Sequence, residues 1–151
     1  MEQEVIIFVG IQATGKSSFY FDRFSSSHMR INMDMLRTRN RERILVNACI
    51  EAKQSFVVDN TNPTEEDRRR YLTLAIEKRF RPVAYYFQSK VEDAIRRNAS
   101  RGQKEFVPEV GIRGAYAKLE LPSRQEGFEE IYYVSIAEGG KFIIEPWDNE
   151  L

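Results

Sequence analysis

The apolar residues form an unbroken run at Val5-Ile6-Ile7-Phe8-Val9. A run without polar alternation predicts a strand buried on both faces, as in the middle of a parallel sheet. Glycine and small polar residues follow, and a helix is predicted over 17–24. Met29-Arg30-Ile31 predicts a short second strand, and 34–53 a long helix rich in Arg and Glu. Ser55-Phe56-Val57-Val58-Asp59 is a short apolar strand ending in a carboxylate. Thr64-Glu65-Glu66-Asp67 has the cap and acidic first turn of a helix running to 79. A strand over 82–87, helices over 90–101 and 108–119, and strands over 128–135 and 142–145 complete the pattern. Strands alternating with helices predict crossover units, hence a three-layer α/β/α fold around a mostly parallel sheet. Ligands in such sheets bind beyond the carboxyl ends of the strands. Gly10, Asp34 and Asp59 each fall just behind a predicted strand.

Gly10-Ile11-Gln12-Ala13-Thr14-Gly15-Lys16-Ser17 matches the phosphate-loop pattern G-x-x-x-x-G-K-[ST] between a buried strand and a helix. The glycines let the backbone curl and turn its N–H groups inward, and the helix behind adds the positive end of its dipole. The fold class becomes a P-loop NTPase with ATP and Mg2+ as ligands. Lys16 is expected on the β- and γ-phosphates, and Ser17 on the metal. Gly10 to Ser17, with Ser18 behind, is the expected ATP-binding stretch.

Asp34 opens a helix behind the second strand, where it could orient and deprotonate an acceptor hydroxyl. Arg37 and Arg41 lie three and seven residues on, along one helical face. The same residues also read as a helix cap and a solvated face. Asp59 ends its strand like the second acidic motif of P-loop enzymes, which meets Mg2+; the alternative is an Asx turn before Asn60-Thr61-Asn62-Pro63. Arg96-Arg97-Asn98-Ala99-Ser100-Arg101-Gly102 suits a helical lid whose arginines close on the nucleotide, with Arg97 and Arg101 four apart and Gly102 ending the helix. Its alternative is an ordinary charged helix surface.

Composition sets the remaining bounds. The 151 residues are 42% apolar and 30% charged, which suits one globular domain over 1–151. Lys and Arg balance Asp and Glu at 23 each, which argues against unspecific coating of nucleic acid but leaves room for a local basic groove. No run is long enough to span a bilayer, and the start, Met1-Glu2-Gln3-Glu4, is not a signal-peptide head, so a cytoplasmic protein is expected. Cys49 is single and reads as a small core residue; His28, the only histidine, reads as structural. The Phe and Tyr residues read as core, with Tyr71 and Tyr116 as the candidates for base stacking.

Together the segments resemble the kinase domain of 5′-hydroxyl polynucleotide kinases. Beyond the loop, the resemblance rests on Ile31-Asn32-Met33-Asp34 with Arg37, on Asp59-Asn60-Thr61-Asn62-Pro63 followed by Arg68, Arg70 and Tyr71, on 97–102 followed by Val107-Pro108, and on Glu126-Gly127-Phe128-Glu129-Glu130-Ile131. It implies Asp34 as general base on a 5′-hydroxyl, Arg37 on the acceptor's 3′-phosphate, and Arg101 on the ATP phosphates and transition state. Lys16, Asp34 and Arg101 are thus the expected catalytic residues, and Arg97 joins the ATP contacts. Ser17 and Asp59 are the expected metal residues. Arg37, Arg41, Asn60, Asn62, Arg68 and Arg70 are the expected acceptor contacts. Met33 stands where many relatives carry arginine, and the phosphatase signature Asp-x-Asp-Gly-Thr is absent from these residues. The expected function is ATP-dependent phosphorylation of a DNA or RNA 5′-hydroxyl. A kinase of a small metabolite or nucleoside, and an accessory nucleotide-binding ATPase without an acceptor, remain the alternatives. The choice of adenine or guanine and the oligomeric state are not written in the pattern.

Overall fold

The computed structural model describes residues 2–147. Six strands form one sheet: β1 (Glu4–Val9), β2 (Met29–Ile31), β3 (Phe56–Val58), β4 (Arg81–Phe87), β5 (Glu130–Ile136) and β6 (Phe142–Pro146), in the order β2-β3-β1-β4-β5-β6. All neighbouring pairs are parallel except β5 with β6. Six α-helices connect them: α1 (Lys16–Arg23), α2 (Met33–Leu36), α3 (Arg39–Ala52), α4 (Glu65–Glu77), α5 (Val91–Ala99) and α6 (Glu109–Lys118). The fold is the predicted P-loop NTPase architecture.

The unbroken apolar run of β1 divides by alternation between two cores. Val5, Ile7 and Val9 join Ile31, Val46, Cys49, Val58, Tyr71 and Leu72 on the face covered by α3 and α4. Ile6 and Phe8 join Phe19, Tyr20, Val57, Val83 and Phe87 on the face covered by α1. Each fully buried aliphatic or aromatic side chain there contributes about 1.5–3 kcal/mol. Cys49 is the small core residue expected, and Tyr71, 4% exposed, is core and not a stacking platform. His28 is structural, lying 3.1 Å from Glu4 and against the Phe24 ring.

The topology places a crevice at β1. The chain leaves β1 through α1 on one face and leaves the adjacent β3 through α4 on the other. Their carboxyl ends therefore part, and the loops behind them line the gap. The Gly10 amide donates to the Thr61 carbonyl (3.0 Å), and Asn62 Nδ2 donates to the Phe8 carbonyl (2.8 Å). These bonds fix the two loops against each other.

Two predicted helices are shorter than expected. The helix predicted over 34–53 is broken: α2 ends at Leu36, Arg37 takes φ 75°, and Thr38 caps α3 by accepting from the Arg41 amide (3.2 Å). A threonine oxygen offered to a free amide competes with helix continuation. The helix predicted over 90–101 ends at Ala99, so Arg101 lies in the turn beyond it and not on a shared helical face with Arg97. Among the described residues, no helix is long and apolar enough to cross a membrane.

Candidate active site

The loop from Gly10 to Ser17 curls at the carboxyl end of β1. Gly15 takes φ 93° at the cap position just before α1, and a Cβ there would meet the Phe142 ring at 2.9 Å, so both the backbone angle and the space require glycine. Gly15 provides no side-chain cap, leaving the first-turn amides of α1 to an outside acceptor. The loop is braced from below: Thr14 Oγ1 donates to the Ile11 carbonyl (2.8 Å), and Ser89 Oγ accepts from the Ile11 amide (3.1 Å) while donating to the Phe87 carbonyl (2.8 Å).

Lys16 is buried inside the curl, with Nζ donating to the Ile11 carbonyl at 2.6 Å. Burial pushes its pKa down to about 8; Asp59 and Asp34 pull it up, and Arg101 pushes it further down. One lysine thus senses both candidate carboxylates and the lid arginine. The groups expected to carry the chemistry therefore share one field.

Ser17 and Asp59 meet directly: Ser17 Oγ donates to Asp59 Oδ2 at 3.0 Å. Asp59, 2% exposed, directly follows β3, one residue beyond the strand end. A hydroxyl and a carboxylate are hard oxygen donors of the kind that hold Mg2+ together with substrate phosphates and water. No cluster of three or more His, Cys, Asp or Glu able to hold a metal occurs among the described residues, so a metal here would need the nucleotide's oxygens as well. The residues fit Mg2+ on those terms. Arg30 also reaches both groups, with Nε on Asp59 Oδ2 and a terminal nitrogen on Ser17 Oγ, each at 2.9 Å.

Asp34 lies in the first turn of α2 and is exposed. Asn32 caps that turn by accepting from the Met35 amide (3.0 Å), and its own amide donates to the Asp59 carbonyl (2.6 Å). Asn60 Oδ1 accepts from the Met33 amide (2.9 Å). The two asparagines tie α2 to the end of β3, so Asp34 is positioned relative to Asp59 by fixed backbone.

The lid, α5 and α6, packs on the loop through Ile11, Ala94 and Ile112. Buried Asn98 donates to the Val107 carbonyl (2.6 Å) and accepts from its amide (3.0 Å), pinning the turn that carries Arg101. Arg97 reaches the Ala13 carbonyl at 3.5 Å. One terminal nitrogen of Arg101 and Oε1 of Gln12 are buried without a hydrogen-bond partner among the described residues. A guanidinium N–H without a protein partner is free to donate to an anion.

The predicted acceptor contacts divide. Arg68 is wholly buried and makes a two-pronged pair with Glu126 (2.8 and 3.0 Å), with a third bond to the Asn62 carbonyl (2.9 Å). Asn62 is buried with its amide on main-chain carbonyls. Neither can touch an acceptor; both hold the loop behind β3. Asn60 supports α2 through its side-chain oxygen. Arg37, Arg41 and Arg70 are exposed, Arg41 with a bond to the Leu36 carbonyl (3.3 Å) and Arg70 4.0 Å from buried Glu42. Sequence gives Arg30 and Ser89 no role, and Asn98 and Glu126 stand only within the segments that carry the resemblance. Strand alternation puts Arg30 on the face opposite Ile31, but only the fold shows that this face looks toward α1.

A model of the AAA domain family matches residues 26–122. That stretch begins behind α1, so the phosphate loop is independent of it. The bifunctional polynucleotide phosphatase/kinase of Schizosaccharomyces pombe is 31% identical over 137 residues, 85% of this chain and 33% of that protein. The L-seryl-tRNA(Sec) kinase of Methanococcus maripaludis is 26% identical over 83% of this chain and 56% of that one. The chain thus spans only part of the curated relatives it matches. In structure, a gluconokinase from Sinorhizobium meliloti is similar with a TM-score of 0.61 over 89% of this chain and 83% of its own, at 18% identity, a likeness of fold.

Proposed function

The chain belongs to the AAA domain family and has a P-loop kinase fold, and from that premise we propose that it transfers the γ-phosphate of ATP to the 5′-hydroxyl of a polynucleotide. The observation that carries the reading is geometric: Ser17 Oγ meets the buried Asp59 carboxylate (3.0 Å) behind the loop that holds the buried Lys16, and Asn32 and Asn60 tie the turn bearing Asp34 to the same strand end. Lys16 and the first-turn amides of α1 hold the β- and γ-phosphates. Ser17 and Asp59 would hold Mg2+, which would supply positive charge to the triphosphate. Asp34 orients the acceptor hydroxyl and takes its proton as that oxygen bonds to the γ-phosphorus and the bond to the ADP oxygen breaks. Arg101 donates its unpaired N–H to the transferring phosphoryl group, with Arg97 on the loop side. The break at Arg37 removes the single helical face expected for Arg37 and Arg41; Arg37, exposed at the end of α2, and Arg41, exposed on α3, meet acceptor phosphates from either side of it, and Arg70 extends the basic surface.

The name of the Schizosaccharomyces pombe relative supports a polynucleotide acceptor. The inward turn of Arg68 and Asn62 favours a second reading, a kinase of a small alcohol, because it removes two contacts from an extended groove. Labelled ATP offered with a 5′-hydroxyl oligonucleotide, a 5′-hydroxyl RNA and a panel of sugar acids and nucleosides tests both. Label on a nucleic acid end is the expected result. Label on a small alcohol alone supports the second reading, and ATP hydrolysis with no labelled acceptor supports an accessory ATPase.

A further inference from the structure

Arg30 occupies both oxygens assigned above to the metal. Its Nε donates to Asp59 Oδ2, its terminal nitrogen donates to Ser17 Oγ, and Ser17 closes the triangle on the same Oδ2 (2.9, 2.9 and 3.0 Å). We propose that Arg30 is a displaceable counter-ion of the Ser17–Asp59 pair, which keeps bare divalent cations out and admits the metal only together with the nucleotide. The inference rests on the reading of that pair as the metal site.

The environment supports exchange and not permanent burial. The Asp59 side chain is 1% exposed, so its charge needs a partner whenever no metal is bound; the Arg30 side chain is 19% exposed and can leave. Its strand, β2, is at the sheet edge. The guanidinium lies 5.9 Å from the Tyr20 ring and 5.2 Å from Phe21, an exposed ring on the solvent side. Tyr20 is held in turn by its hydroxyl donating to the His28 carbonyl (2.6 Å). A path therefore exists from the buried carboxylate outward over Phe21.

The competition is unequal with and without nucleotide. A bare hydrated dication would exchange several waters for one carboxylate and one hydroxyl already bonded to a guanidinium. With ATP in the loop, phosphate oxygens supply the remaining ligands, and the combined site outcompetes Arg30. Arg30 thereby positions Asp59 before the nucleotide arrives and couples metal entry to nucleotide binding.

Mn2+ binding to the full chain tests this, followed without ATP by the loss of the free-ion electron paramagnetic resonance signal and with ATP by equilibrium dialysis, since ATP itself binds the ion. The wild-type chain is expected to bind Mn2+ weakly without ATP. Arg30→Gln is expected to bind it at least tenfold more tightly, and Phe21→Ala, which removes an exposed ring, about threefold. With ATP present all three should bind Mn2+ far more tightly, because phosphate oxygens complete the site in each. Asp59→Asn in the Arg30→Gln background should abolish the gain. Circular dichroism checks folding, and Phe21→Ala keeps the test decisive if Arg30→Gln does not fold. Equal Mn2+ affinity in all three without ATP would overturn the role of Arg30 while leaving the metal pair intact. No Mn2+ uptake by any of them, even with ATP, would overturn the metal pair and this inference with it.

Discussion

Lys16 is held in a place that penalises its charge: buried, and bonded to a carbonyl at 2.6 Å. Its pKa, lowered to about 8, lies below that of an unfolded chain, 10.5. Between those values the unfolded chain binds a proton that the native chain does not, so this group makes stability rise with pH across that window. A triphosphate beside Nζ reverses the preference by favouring the ammonium. Nucleotide binding at pH 9 should therefore take up close to one proton, and affinity should fall as pH rises through about 8. Calorimetry in buffers of different ionisation enthalpy reads the uptake directly; no uptake at pH 9 would contradict a buried, partly neutral lysine. Truncating Lys16 or Arg101 to alanine should lower kcat by roughly 10²–10³, as for a lost donor to developing charge. The identity of Lys16 was legible because its spacing is fixed by the loop. The meeting of Arg30 with Asp59 was not, since it depends on which face of an edge strand looks at α1.

At the scale of elements, periodicity reads the strands and helices well wherever burial repeats, as in the run of β1 and the capped start of α4. It reads breaks poorly. The residues of 34–53 all accept helix, and nothing in their polarity marks Arg37 as the point where the backbone turns to φ 75°. The break has a use: it separates the short α2, which carries Asp34, from α3, which packs on the sheet. A non-glycine residue at such an angle stores about 1–3 kcal/mol. Arg37→Gly should raise the unfolding free energy by about 1 kcal/mol once glycine's greater chain entropy is subtracted. The same change should raise KM for an anionic acceptor, because the guanidinium is gone. Urea unfolding and acceptor titration measure the two effects; a stability loss with unchanged KM would contradict both.

Across the whole molecule, the crevice follows from strand order, and strand order depends on contacts distant in sequence. Arg68 illustrates the limit. By sequence it stands among arginines behind an asparagine-rich loop, and contact with an acceptor is the expected role. In the fold it reaches 58 residues along the chain to Glu126 and joins α4 to the turn before β5. Breaking that buried pair with Arg68→Ala should cost about 3–5 kcal/mol, whereas Arg68→Met with Glu126→Leu should restore most of it. Thermal unfolding of the single and double variants checks this. Acceptor KM should not change in any variant that folds, since Arg68 faces no groove.

The proposed transfer requires that one carboxylate, Asp34, acts on the acceptor and not on the nucleotide. Single-turnover transfer from labelled ATP to a 5′-hydroxyl oligonucleotide, run beside ATP binding by calorimetry, tests that most directly. Asp34→Asn should bind Mg–ATP within about twofold of the wild-type chain and transfer phosphate roughly 10²–10⁴-fold more slowly, the range for loss of a general base. Transfer at the wild-type rate by Asp34→Asn, or tight ATP binding with no transfer by the wild-type chain, would contradict it.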